Sequence, residues 1–560
     1  MAPVSSLQCG SRTLDSLPTE ILVEILSLLD AVQIAFCRLV CRRFDYIALH
    51  NARLQYPIRL AIANHVDGHP EHPSGVGMRL KHLLALQEAW RTQDFREKRR
   101  VCSSDLTNQP SASAYRNGTV LLGALNLSLI PSSVPTHIVD LLSPIFMNEL
   151  HVLYLRGAEG SSDFRRDVHR FDQAFSDFDV ELSEDLLVLW NSFSPPSTGL
   201  NIRFLSLSDG GEHKRAKTQY VEVPTETFFP GEYHPDTVII FDVNSVQLNG
   251  ELACICAMAG KWVQLLNWVT GDCWTISGSS CCILSKECVI VASCHTNPPY
   301  FDVYSIIYSV QPPSVAHVRR YRLPRTKVGI LYDIECRPSP PFNASVLPVT
   351  PECPAVPFST APGSVMVVFS YRMRIPDVDG SHIQYALLCY TDRFLTDVQE
   401  CVLGTAEQLL ENVEVVNWES WGPDSSFFLG EVHNDDNIWS YALYGYRLMF
   451  EHTIYDFNPR NIASAIDREE REEGREGREG MRLCRSTSSA REDYKYFAQK
   501  IETHRAFLSA PIKKSRVPAS TCCFLVDEDV LALEDTTDIT DSTSRQVIIT
   551  QLTVGPEWDA

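Results

Sequence analysis

The chain has 560 residues, 44% of them hydrophobic and 21% charged, which is an ordinary balance for soluble protein and too long for one compact core. Its formal charge of −21 argues against nucleic acid or an anionic membrane as the main partner, because both require a basic surface. No stretch reaches the roughly 18–20 consecutive apolar residues of a membrane span, and Met1 to Ser11 lacks the basic start and apolar core of a signal peptide, so a cytoplasmic or nuclear location is expected. The sequons at Asn117, Asn126 and Asn343 then read as chance matches. Eighteen cysteines are scattered along the chain. The closest groups, Cys254/Cys256, Cys281/Cys282 and Cys522/Cys523, lack C-x-x-C spacing, so reduced and mostly buried thiols are expected, with no metal site.

The first 50 residues read as helix. Pro18 sits in an opening turn, where its missing N–H costs nothing. In Glu20 to Leu29, the side chains of Ile21, Leu22, Ile25, Leu26, Leu28 and Leu29 cover most of the helical circumference, and Glu20, Glu24 and Ser27 leave only a narrow polar stripe. A second helical run is expected over Ile34 to Phe44, with Arg38, Arg42 and Arg43 complementing its dipole. Short helices cannot bury an apolar surface that wraps nearly round the first of them. Part of it must meet another chain, or else the helices cap a larger domain of this one.

The residue order favours the first alternative. Leu14-Asp-Ser-Leu-Pro-Thr-Glu-Ile-Leu-Val-Glu-Ile-Leu-Ser-Leu-Leu29, followed by Leu39-Val-Cys-Arg-Arg-Phe44, resembles the F-box motif over about the first 45 residues. The resemblance implies a three-helix module at 12–50 that docks on a Skp-type adaptor and through it on a cullin–RING ligase. By the same resemblance, Leu17, Pro18, Ile21, Leu22, Ile25, Leu29, Val40 and Cys41 would form or support the adaptor-binding surface. Phe44 stands where the motif more often has Trp, and Gln33 replaces the usual acidic residue at the start of the second helix.

Residues 51–113 read as a mainly helical linker. Within it Leu54 to Ala63 looks extended, His65 to Gly77 is rich in Gly, Pro and His and reads as a loop, and Arg79 to Trp90 returns to helix. The spacing of His65, His69 and His72 suits a metal, but Gly68, Pro70 and Pro73 break the helix that would align them, so a solvated loop is expected. Lys98-Arg99-Arg100 is a basic triplet that reads as solvated linker or, less simply, an import signal.

From about residue 114 to 558 the pattern changes to short β runs between Gly, Pro, Asn and Asp. A paired unit recurs: Glu184 to Trp190 with Leu200 to Gly210, Asn249 to Cys256 with Trp262 to Gly271, Glu287 to Ser293 with Tyr300 to Ile306, Ser364 to Ser370 with Ile383 to Cys389, and Ser425 to Glu431 with Asn437 to Leu443. This is how propeller blades read, so an α+β multidomain protein is expected, a three-helix F-box module and helical linker followed by an irregular β-propeller; a β-sandwich or two β domains remain as alternatives. The layout also resembles that of F-box proteins common in fungi. The charged stretch from Asp467 to Gly480, within an insertion at 467–491, has no apolar periodicity and is expected to be disordered. Trp190, Trp262, Trp268, Trp274, Trp418, Trp421 and Trp439 are expected to pack the β domain, with one or two free to grip a partner.

The chain offers no G-x-S-x-G elbow and no phosphate-binding P-loop. The expected function is therefore that of a non-enzymatic substrate receptor, without cofactor or metal, which joins a substrate protein to a Skp–cullin–F-box ligase. A non-ligase F-box scaffold is the alternative, and a propeller enzyme with a helical cap is a third class.

Overall fold

The computed structural model describes residues 14–68, 74–92, 95–102, 112–116, 119–124, 147–154, 165–191, 199–224, 245–256, 261–327, 332–339, 358–361, 365–374, 382–403, 413–434, 441–450, 453–471, 481–485, 487–488, 496–498, 501–511, 522–526, 529–537 and 545–554. Five α-helices precede the sheets: α1 (Thr19–Leu26), α2 (Ala31–Cys37), α3 (Arg42–His50), α4 (Ala52–Ala63) and α5 (Val76–Thr92). A short 3-10 turn at Leu14–Ser16 leads into α1. The three helices of the expected module are thus followed by two helices in the linker, where an extended run and one helix were expected.

Two of these elements differ from what the periodicity suggested. The run from Ile34 to Phe44 is broken, because Cys41 is extended (φ −157°) and caps α3 with its sulfur accepting from the Phe44 amide at 3.5 Å. Arg42 and Arg43 consequently open α3 and do not complement the end of α2. Arg43 instead donates from Nη2 to the Leu17 carbonyl at 2.7 Å, and Arg38 pairs with Asp45. Residues 54–63 are helical, entered through Asn51, whose side chain accepts from the Arg53 amide at 2.9 Å. Leu54 and Ile58 of α4 join Leu22, Leu26, Ile34, Phe44 and Ile47 in one core, while Tyr56 and Leu60 join Leu83, Leu86 and Trp90 of α5 in another. The alternating apolar positions that looked like a strand are two i,i+4 stripes of a helix clamped between two cores.

The second of these cores ties the helices to the β region. It includes Phe358, Met449 and Ile454, with the Arg447 guanidinium 4.1 Å from the centre of the Trp90 ring. Strand His65–Asp67 pairs with Phe358–Thr360, and Asn458 donates to the Ile62 carbonyl at 3.2 Å. His65 is buried there, edge-on to Phe358, which leaves it no place in a loop metal site; His69 and His72 lie outside the described residues.

Among the described residues, the β region holds seven separate sheets built on four antiparallel strands in simple order. The first contains Ala112–Arg116, Thr119–Ala124, Met147–Tyr154 and Arg165–Phe175, and the second Asp177–Glu181, Leu186–Asn191, Gly199–Ser206 and Tyr220–Pro224. The third contains Ser245–Asn249, Leu252–Cys256, Trp262–Asn267 and Cys273–Ser277. The fourth runs from Ser280–Ser285 through Cys288–Ser293 and Tyr300–Ile307 to Ser314–Arg322, where Glu414–Val416 adds a parallel edge. The fifth comprises Tyr332–Pro338, Met366–Arg374, His382–Tyr390 and Ser426–Asn434. The sixth comprises Tyr441–Tyr444, Arg447–Phe450, Thr453–Asp456 and Phe507–Pro511, extended by Arg482–Cys484.

The seventh sheet is drawn from both ends of the chain. Cys522–Val526, Asp529–Thr537 and Arg545–Val554 are followed at the edge by Phe95–Cys102, so that Phe95 stands opposite Val554 and Cys102 opposite Val547. The basic triplet Lys98-Arg99-Arg100 is therefore in a strand, and the linker is helical only as far as Thr92.

Consecutive sheets pack face to face. Apolar cores join the first sheet to the second (Leu150 and Val152 with Leu187 and Leu189), the second to the third (Val188 and Phe204 with Ile255 and Trp268) and the third to the fourth (Cys254 and Leu265 with Ile283 and Val289). Others join the fourth to the fifth (Phe301 and Tyr321 with Phe369 and Tyr385) and the fifth to the sixth (Phe427 and Leu388 with Leu448 and Phe507). Strand Cys522–Val526 of the seventh sheet lies against Tyr441–Tyr444 of the sixth and Ala112–Arg116 of the first.

Four of the expected strand pairs share a sheet, but Ser426–Asn434 and Tyr441–Tyr444 do not. The former pairs with His382–Tyr390 and ends the fifth sheet, and the latter begins the sixth. Of the charged stretch, residues 467–471 continue the helix Pro459–Arg471, whose Ile462 and Ala465 pack on Leu508; residues 472–480 lie outside the described residues. Trp190, Trp268, Trp418 and Trp421 are buried, with indole N–H groups of Trp268 and Trp421 donating to the Gly250 and Arg322 carbonyls, whereas Trp439 lies outside the described residues. Cys254 is joined to Cys281, unlike the expected free thiols.

Candidate functional site

The N-terminal helices expose an apolar surface that their own core does not require. Leu22, Val23 and Leu26 of α1, Ile34 of α2 and Phe44, Ile47 and Ala48 of α3 point inward and fill the module. Leu17, Leu29, Cys37 and Cys41 are partly buried at its margin. Outside stand Ile21 (47% exposed), Leu28 (86%), Phe36 (64%), Leu39 (82%) and Val40 (70%), together with Val32.

The backbone explains why these side chains face outward together. Ile21, Ile25 and Leu28 follow one another at helical spacing along α1 and into its closing turn. Val32 and Phe36 lie one turn apart on α2, opposite the buried Ile34. Asp30 and Gln33 fix the start of α2 by a capping box: the Gln33 amide donates to Asp30 Oδ1 at 2.8 Å, and the Asp30 amide donates to Gln33 Oε1 at 3.1 Å. Gln33 thus does the capping work of the acidic residue it replaces. Leu39 and Val40 then fall in the turn before Cys41, held by their amides to the Phe36 and Cys37 carbonyls. A helix continuing through Phe44 would have carried Val40 elsewhere.

The residues expected at this surface therefore divide. Ile21, Val40 and Pro18 are exposed, and Leu17, Ile25, Leu29 and Cys41 are half-buried. Leu22 is wholly inside the module and supports the surface from below. Leu28, Val32, Phe36 and Leu39 were not singled out from sequence. Their signal was present, as apolar side chains on the helix face opposite Ile34 and in two turns, but turns are not visible to helical periodicity.

The surface is aliphatic with one aromatic ring, suited to area-driven contact with a protein. Residues 14–56, which comprise the 3-10 turn, α1 to α3 and the start of α4, match the F-box-like family model. The chain carries an F-box-like domain. This domain implies a Skp-type adaptor as partner and a setting in ubiquitin ligases of the Skp–cullin–F-box type. No curated protein sequence matches the chain. Among solved structures, the crystal structure of the tricorn protease is similar with a TM-score of 0.26 and 7% identity, over 64% of this chain and 28% of that one. A likeness that slight carries no argument, and the chain spans little more than a quarter of the length of that protein.

Ionisable groups in the β region pair across neighbouring strands. Asp302, buried in the fourth sheet, accepts from Arg320 at 2.7 and 2.9 Å and lies 3.1 Å from His317. Burial opposes its ionisation, but hydrogen bonds from His317 and Arg320 outweigh that and hold its carboxyl below the usual range. In the first sheet, His151 Nε2 lies 3.0 Å from Glu149, and Arg166 donates to His151 Nδ1 at 2.7 Å. No helix among the described residues is long and apolar enough to cross a membrane.

Proposed function

We propose that the chain is the substrate-recognition adaptor of a Skp–cullin–F-box ubiquitin ligase. The exposed apolar strip from Ile21 through Leu28 and Phe36 to Val40 carries this reading, because it belongs to the F-box-like domain and no core described for this chain covers it. Burying one such side chain stabilises by roughly 1.5–3 kcal/mol, so five of them supply on the order of 10 kcal/mol against an association cost of about 4–15 kcal/mol. The β region would hold a substrate protein, and catalysis would be proximity alone: tethering raises the effective concentration of a substrate lysine near the charged conjugating enzyme. No side chain of this chain would act as acid, base or nucleophile, and the setting would be cytoplasm or nucleus.

We further propose that the seven sheets are the blades of an irregular propeller. The support is the succession of face-to-face cores, the contact of the seventh sheet with the first, and the N-terminal strand that completes the last sheet. The test is reconstitution with a Skp-type adaptor, a cullin and a RING subunit. Adaptor binding with substrate ubiquitylation supports the receptor; adaptor binding alone supports a scaffold; no adaptor binding by a folded chain removes both.

A further inference from the structure

Cys254, Cys256 and Cys281 bring their sulfur atoms to within 4.8 Å of one another, all buried, between the third and fourth sheets. The C-x-C spacing puts Cys254 and Cys256 on one face of a strand, with their sulfurs 3.8 Å apart. Cys281 faces them from the first strand of the next sheet, and its amide donates to Cys256 Sγ at 3.2 Å. The surroundings are mainly aliphatic, from Leu265, Ile276, Ile283 and Val291, while the Cys336 thiol and the Glu335 and Asp333 carboxylates act on Cys256 from nearby. Joining Cys254 to Cys281 leaves Cys256 as a third thiol beside the bond.

We propose that the reduced chain binds one copper(I) ion between Cys254, Cys256 and Cys281. Sulfur donors select soft cations, which leaves copper(I) and zinc as the usual choices. Zinc in a structural site takes four ligands, whereas this group ends at three among the described residues. Copper(I) is satisfied by three sulfurs with no fourth ligand, and removing one of the three weakens its hold. A dithiol reductant opens the Cys254–Cys281 bond by delivering two electrons and two protons, itself becoming a disulfide. Copper(I) then displaces the protons of two thiols, and the third sulfur donates a lone pair as a thiol. Metal and disulfide exclude each other, so the oxidation state of the chain decides which one joins the two sheets.

The experiment expresses the full chain in copper-supplemented cells, so that metal is present while the core forms, and purifies it under dithiol without oxygen. Copper content is measured for wild type, Cys256→Ser, and Cys273→Ser, the last removing an exposed thiol outside the group. Wild type and Cys273→Ser are expected to retain a single copper per chain against a copper(I) chelator, and Cys256→Ser to lose it while still melting as a cooperatively folded chain. Equal copper in wild type and Cys256→Ser overturns the proposal, as does a wild type that is fully reduced by thiol count and free of copper. Should Cys256→Ser fail to fold, Cys256→Ala provides the same comparison, because it removes the ligand and leaves the pair Cys254 and Cys281 intact.

Discussion

The guanidinium of Arg447 stands 4.1 Å from the centre of the Trp90 ring, so that the sixth sheet grips the last turn of α5. Trp90 is buried beside Leu86, Met449 and Ile454, and the F-box-like domain is continuous with this arm through α4. The face proposed for docking is held on a packed arm. Arg447→Ala should cost about 1–2 kcal/mol through the lost cation–π contact, and Trp90→Ala about 3–5 kcal/mol through the cavity it leaves. Amide exchange should quicken in α4 and α5 before it does in the fifth sheet; unchanged exchange in both helices would show that the contact does not fasten the arm.

The apolar face proposed for adaptor docking makes a sharper demand. Leu39→Glu with Val40→Glu should abolish capture of a Skp-type adaptor, because carrying an unpaired carboxylate into an apolar contact costs several kcal/mol. The melting midpoint should move by no more than about 2 °C, since both side chains stand in solvent. Leu22→Ala should behave oppositely, destabilising the module by about 2–5 kcal/mol from inside. Adaptor binding that survives the double glutamate variant would place the partner surface elsewhere.

The strand Phe95–Cys102 yields a third prediction. A chain beginning at residue 95 keeps the edge strand of the seventh sheet, and one beginning at residue 104 loses it, while both lack the five N-terminal helices. The shorter chain should melt several degrees lower, at roughly 2–4 °C per kcal/mol, and should aggregate through the bared edge of Arg545–Val554. Equal melting of the two would mean that the edge strand adds nothing to the sheet.

Acid should weaken the fourth sheet through Asp302. Its folded pKa lies below the unfolded value of about 3.9, so its contribution is complete above that pH and is lost as pH falls through the folded value. Asp302→Asn should therefore lower stability at neutral pH and flatten the decline below about pH 4. A variant whose stability keeps the wild-type slope in acid would show that the Asp302 carboxylate is not linked to folding.

Much of this was legible in the residues. Leu17-Pro18 followed by Glu20 and the apolar turns after it, then Leu39-Val-Cys-Arg42, identified the F-box-like domain because its surface side chains are set by local helical spacing. Four of the five strand pairs were visible as alternating runs, since a hairpin joins neighbours in sequence. What was misread shares a cause. The positions Leu54, Tyr56, Ile58 and Leu60 alternate because α4 is buried on two sides, a fact about what surrounds the helix and not about the helix itself.

By itself, then, the sequence determined the F-box-like helices, the change to short β strands after about residue 114 and the acidic net charge of the chain. Tertiary structure decided which apolar side chains face solvent, which sheet Ser426–Asn434 belongs to, that Cys281 of one sheet meets Cys254 and Cys256 of the next, and that Phe95–Cys102 completes a sheet begun more than 400 residues later. The physical reason is common to all four. Hydrophobic periodicity records that a side chain is buried, whereas the partner that buries it is chosen by contacts between segments far apart in the chain.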